Sequence, residues 1–165
     1  MFDSAISPLK RALTNLSHIL AKGEAHADAK KIEHAVLLNA RLFPDMYPLT
    51  RQVQIATDMS KGAAARLAGI EIPKYEDNES SFDELQARIA KTIAFIDTVH
   101  PEQLQDSATR EVTITIRKVD LKFNGQDYLL KWVQPNVYFH VTTAYNILRH
   151  NGVELGKADF LGPRD

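Results

Sequence analysis

The chain of 165 residues contains no cysteine. Disulfides, thiolate metal sites and cysteine nucleophiles are excluded, and the composition fits a reducing compartment. Neither sign of charge dominates: 20 Lys and Arg against 21 Asp and Glu leave a formal charge of −1. Without a basic stripe to neutralise phosphates, nucleic acid is not an expected partner. No window approaches roughly 18 uninterrupted apolar residues, so no membrane span is expected. The first eight residues lack a positive region followed by an apolar run, so no signal peptide is expected and the cytoplasm is the expected location. Also missing are the GxGxxG and GxxxxGK[ST] phosphate loops, the GxSxG elbow, and any HxxxH or HExxH pair. What is present is 44% hydrophobic and 25% charged residues. That is the make-up of one globular domain over residues 1–165, able to bury roughly two thirds of its unfolded surface.

Apolar periodicity predicts a mainly α fold. Ile6, Leu9, Leu13, Leu16 and Leu20 recur at spacings of three and four, a core stripe for a first helix that Gly23 would end. A second helical run is expected over 27–43, carrying Ile32, Val36, Leu38 and Leu42, before Pro44 and Pro48 force a bend. The next helix, over 46–68, shows Leu49, Val53, Ala56, Ala63 and Leu67, with Gly69 in the stop position. Its small-residue run at 61–69 reads as room for close helix packing. Residues 70–80 read as a polar loop, and the acidic run Glu76-Asp77-Asn78-Glu79 as solvated. Ser81 and Glu84 have the spacing of a capping box for a helix carrying Phe82, Leu85, Ile89, Ile93 and Ile96. Past Pro101 the period becomes two. Val112, Ile114 and Ile116, then Val119, Leu121 and Phe123, predict a short β-hairpin. Asn124-Gly125 is either its turn or the end of its second strand. A last helix over 135–151 stops at Gly152, and Phe160 and Leu161 are expected to fold back. The sum is a four-helix bundle with a hairpin inserted before its last helix.

Two stripes carry candidate chemistry. On the 46–68 helix, Tyr47, Arg51, Gln54, Asp58 and Lys61 follow one another at spacings of four, three, four and three. Spacing alone reads this as a solvated face with i,i+4 pairing. As a binding site the same stripe would recognise a carboxylate or phosphate, Arg51 being suited to bidentate contact. On the last helix Asn136 and His140 stand four residues apart and converge on one point. His140 has the type for a metal ligand or a general base. A lone histidine is otherwise a core residue satisfied by a neighbour. His18, His26, His34, His100 and His150 are assigned no role.

Several segments resemble a known family. These are Arg41-Leu42-Phe43-Pro44-Asp45-Met46-Tyr47-Pro48-Leu49, Arg51-Gln52-Val53-Gln54-Ile55-Ala56, the 61–69 run, Pro135-Asn136-Val137-Tyr138-Phe139-His140-Val141-Thr142-Thr143-Ala144-Tyr145, and Leu148-Arg149-His150-Asn151-Gly152-Val153. Together they resemble an uncharacterised bacterial domain-of-unknown-function family in the DinB/YfiT-like superfamily, over essentially the whole chain. The resemblance implies an up-down four-helix bundle, often a homodimer, with a metal held by three histidines: one on the second long helix, two as an HxxxH pair on the last. Characterised members of the superfamily include transferases and isomerases that use mycothiol, bacillithiol or similar thiols. Carried over, His140 matches the second histidine of the pair, Asn136 stands at the first, and Gln54 falls near the third, with Asp58 one turn on. Two of the three histidines are therefore absent. Asn and Gln are weak neutral donors for zinc or nickel. The expectation is a bundle with a degenerate metal site and no cofactor, its cleft lined by Tyr47, Arg51, Gln54, Asp58, Asn136 and His140 for a small polar ligand. The alternative is a metal-dependent thiol transferase or hydrolase, in which His140 and Asp58 hold a divalent ion such as zinc or nickel.

Overall fold

Four long helices provide the frame: α1 (Phe2–Lys30), α3 (Leu49–Ala68), α4 (Phe82–Asp97) and α6 (Gln134–His150). The structure is a computed structural model and describes residues 2–163; Met1, Arg164 and Asp165, at the ends of the expected domain, lie outside the described residues. Shorter elements complete the order: α2 (His34–Leu38) after α1, strands β1 (Glu111–Ile116) and β2 (Val119–Asn124) after α4, the single turn α5 (Gly125–Asp127), and α7 (Lys157–Leu161) at the end. Around the bundle α1 packs on α4, α4 on α3, α3 on α6 and α6 on α1. The consecutive long helices α1 and α3 therefore lie across the bundle from each other. The predicted mainly α fold with an inserted hairpin is what forms. No helix of the described residues is long and apolar enough to cross a membrane.

The predicted stripes are the core. Ile6, Leu9, Leu13, Leu16 and Leu20 of α1 meet Leu49, Val53, Ala56, Ala63 and Leu67 of α3, and Leu85, Ile89 and Ile96 of α4, in one buried cluster. Gly69 ends α3 in the left-handed region at φ 71°. Ser81 and Glu84 close the capping box that starts α4.

Three boundaries differ from the sequence reading, one being the 46–68 helix, which starts at Leu49 behind Pro48, and the alternative left open at Asn124-Gly125 is resolved. Gly23 does not end α1, which continues to Lys30. A Cβ at Gly23 would lie 3.0 Å from Leu148 Cδ2, so this glycine serves the approach of α6 instead. The 27–43 helix forms only as α2, because Lys31 turns into the left-handed region (φ 56°) and Ile32 N–H bonds back to the Ala27 carbonyl at 2.8 Å. The hairpin turns at Arg117 and Lys118, with φ 49° and 68°, and pairs Ile116 with Val119. Asn124-Gly125 ends β2: the Asn124 side chain accepts from Asp127 N–H at 2.8 Å and opens the last helical region.

That region begins with a wide π-helical stretch (Tyr128–Val133) running into α6. Pro135 lacks an N–H and its ring would crowd the carbonyl four residues back, and the wider turn relieves both. Val112 and Ile114 are buried beneath the hairpin, and Phe123 stacks near Tyr128 and Trp132.

Candidate functional site

The α3–α6 contact places His140 against Gln52. His140 Nδ1 lies 2.7 Å from Gln52 Oε1, while Gln52 Nε2 donates to the Tyr47 carbonyl at 3.0 Å. With its nitrogen committed to a carbonyl, the amide presents its oxygen to the ring. His140 must then carry its proton on Nδ1, which leaves Nε2 as an acceptor. Burial, then the positive charge of Arg51, lowers the His140 pKa to about 4. At neutral pH the ring is uncharged.

One turn along α3 the polar stripe is not a solvated face. Gln54 and Lys61 are 5% exposed, covered by the extended strap of residues 70–80. Arg51 Nη1 donates to Gln54 Oε1 at 3.1 Å and pairs with Asp77, and Gln54 Nε2 donates to Glu79 at 2.8 Å. Asp58 Oδ1 accepts from Lys61 and from Arg88, each at 2.8 Å. The acidic run at 76–79, read as solvated from sequence, is thus the strap's means of attachment. The reason is charge: buried cations on α3 and α4 need partners, and this segment supplies them.

Arg88 of α4 is at the centre of this network and is 3% exposed. Its guanidinium donates to Thr57 Oγ1 (2.7 Å), the Glu76 carbonyl (3.0 Å), Glu79 (2.8 Å) and Asp58 (2.8 Å), and pairs with Asp77 at 3.0 Å. Desolvation works against its charge, but the carboxylates outweigh it and the Arg88 pKa is raised. Asp77 is held below the usual carboxylate range because bonds from Arg51 and Arg88 overcome its desolvation. The Tyr75 ring lies beside the same network, with Lys61 Nζ 3.7 Å from its centroid and Lys91 Nζ 4.3 Å.

The six expected cleft residues therefore divide. Arg51, Gln54 and Asp58 meet under the strap. His140 sits on the other side, coupled to Arg51 through its charge. Tyr47 joins His140 only through its backbone carbonyl, its side chain being exposed. Asn136 spends its amide nitrogen on the Trp132 carbonyl of its own helical segment, at 2.6 Å. Among the described residues no three His, Asp or Glu side chains come together as a metal-binding group. The residue facing His140 is Gln52, not Gln54. Gln52 and Arg88 were both missed from sequence, yet both carry the same signal: a polar residue inside a core stripe, at Leu49/Gln52/Val53 and Leu85/Arg88/Ile89.

Residues 1–161 match the family described as Domain of unknown function (DUF1993). The chain belongs to the DUF1993 family. A solved structure similar to this DUF1993 chain is that of a DinB family member protein from Shewanella denitrificans, 40% identical, with a TM-score of 0.93. The match covers 99% of this DUF1993 chain and 92% of the other. The DinB-like fold implied by the resemblance is thus the fold of this DUF1993 protein. No curated protein matches it.

Proposed function

We propose that this protein binds a small polar molecule bearing a carboxylate, on a DinB-like bundle whose metal position is degenerate. The observation that carries the reading is the state of His140: neutral, with Nδ1 tied to the Gln52 amide, and with burial, then the charge of Arg51, lowering its pKa to about 4. A neutral ring accepting at Nε2 beside a fixed cation suits an anion that also carries a hydrogen-bond donor.

The donor set supports degeneracy at the metal position. Zinc and nickel draw on basic nitrogens and carboxylates. Here the side chain facing His140 is an amide, the Asn136 amide is engaged within its own helical segment, and Asp58 is held by two cations. Arg51 opposes an incoming cation as it opposes protonation of the ring. These residues do not fit the three-histidine ion that the resemblance implies. The alternative, a metal-dependent thiol transferase or hydrolase built on His140 and Asp58, would first have to break the ion pairs of Asp58.

Elemental analysis of untagged protein, followed by calorimetric titration with Zn²⁺ and Ni²⁺, separates the two readings. The expected result is no stoichiometric ion and no tight binding, together with thermal shifts from small carboxylates that Arg51→Met and His140→Ala abolish. About one ion per chain, lost in His140→Ala, would install the metalloenzyme reading instead. Cytoplasmic location and a homodimer belong to the same proposal, the dimer following from the resemblance to the DinB/YfiT-like superfamily. Sedimentation as a monomer at micromolar concentration would remove the dimer.

A further inference from the structure

We infer that the 70–80 strap is an internal occupant of a dianion site on α3 and α4, and that its release opens the site to a small dicarboxylate. This rests on the small-molecule reading above and names its ligand class and its regulation.

The argument starts from charge. In the ion-pair network the helices themselves contribute three cations, Arg51, Lys61 and Arg88, and one carboxylate, Asp58. Two positive charges are left uncompensated. The strap supplies two carboxylates, Asp77 and Glu79, and both are spent there. Geometry agrees with charge. Arg51, Gln54 and Arg88 direct donors at the oxygens of Asp77 and Glu79, with the Gln54 amide orientation set because its oxygen accepts from Arg51. These donors belong to two packed helices, so they stay in place when the strap leaves. Two separate carboxylate positions match a dicarboxylate better than a single compact anion.

The strap is built to leave. Among the described residues, 71–79 make no backbone–backbone hydrogen bond. The strap is held by side chains: the acidic pairs, the Arg88 bond to the Glu76 carbonyl, and the Tyr75 ring beside Lys61 and Lys91. A cavity of about 410 Å³ adjoins the latch between the strap and α4, with Arg88, Glu79 and Tyr75 in its wall. Opening breaks side-chain ion pairs but no backbone ladder, so an anion that takes over those pairs offsets its cost.

The test compares the full-length wild type with the Asp77→Asn/Glu79→Gln variant. Tryptic cleavage after Lys74 reports strap release with no ligand present, calorimetry with succinate reports the site, and thermal melts check that the fold is kept. The expected result is cleavage faster by about tenfold or more, since proteolysis tracks the open population. Succinate should bind the variant about tenfold or more tightly than wild type, and Arg51→Met added to the variant should abolish that binding. Unchanged cleavage would overturn the latch. Faster cleavage with no succinate binding to either protein would overturn the dianion site. Equal succinate affinity in both proteins would overturn the strap's role while leaving the small-molecule reading standing.

Discussion

At the scale of single residues, His140 and Arg88 show two ways of accommodating a titratable group inside a bundle. His140 is kept neutral. Its folded pKa of about 4 lies below the ordinary 6.5, so between those values the unfolded chain takes up a proton that the folded chain refuses. Unfolding is then favoured as the pH falls through this window, and the loss levels off below about 4. The cost of acidifying from 7 to 4 is on the order of 2 kcal/mol from this residue, and a His140→Gln variant is expected to show a flatter denaturation profile over that range. His34, whose pKa is raised by the Asp28 carboxylate, acts with the opposite sign: its stabilisation is present below 6.5 and lost as pH rises through its folded value. Measuring both proteins with His34→Gln in place removes that contribution. Arg88 is instead kept charged. Arg88→Met would leave Asp58, Asp77 and Glu79 short of a cation, and because two of these reach solvent the expected destabilisation is about 2–3 kcal/mol in urea denaturation. His140 was legible from its type, as a candidate ligand or base, whereas Arg88 was not. Arg88 was legible only from position, as a polar side chain at core spacing, and position does not name partners on other elements, whether 30 places away as Asp58 is from Arg88 or 88 as Gln52 is from His140.

At the scale of elements, most of the helices could be read from the chain because their signals are local. The Ser81–Glu84 capping box and Gly69 each act within a few residues, and both do so where expected. One misreading came where a glycine served a distant element. Gly23 looks like a helix stop, and only the Leu148 side chain from α6 explains its presence mid-helix. Gly125 is a sharper case: a Cβ there would stand 1.8 Å from the Ser107 carbonyl oxygen. That oxygen is backbone and cannot swing aside. Gly125→Ala is therefore expected to cost about 3 kcal/mol or more, visible as a drop in Tm, with loss of the Gln126 N–H bond to the Ala108 carbonyl. The same substitution at Gly156, where the nearest atom would be 4.0 Å away, serves as the control and should change little.

At the scale of the whole molecule, cohesion comes from one hydrophobic cluster shared by α1, α3, α4 and α6, with an ionic network joining α3, α4 and the 70–80 strap. Among the described residues that core is a cluster of apolar side chains. Chelation with EDTA is accordingly expected to leave Tm unchanged, and millimolar Zn²⁺ is expected not to raise it. A metal bound with micromolar affinity would instead add about 4 kcal/mol at a thousandfold excess over its Kd, an increase easily seen in calorimetry.

The sequence by itself determined the helical class, the core stripes, the capping signals and the place of the hairpin, because hydrophobic period and turn chemistry act over a few neighbouring residues. It also shows that the chain holds no HxxxH pair. Only the tertiary structure decided which polar groups meet. Gln52 faces His140 across 88 positions, and Asp77 reaches Arg51 across 26. Such pairings are set by how whole helices pack and by the need of a buried charge for a counter-charge, and neither leaves a periodic trace in the chain.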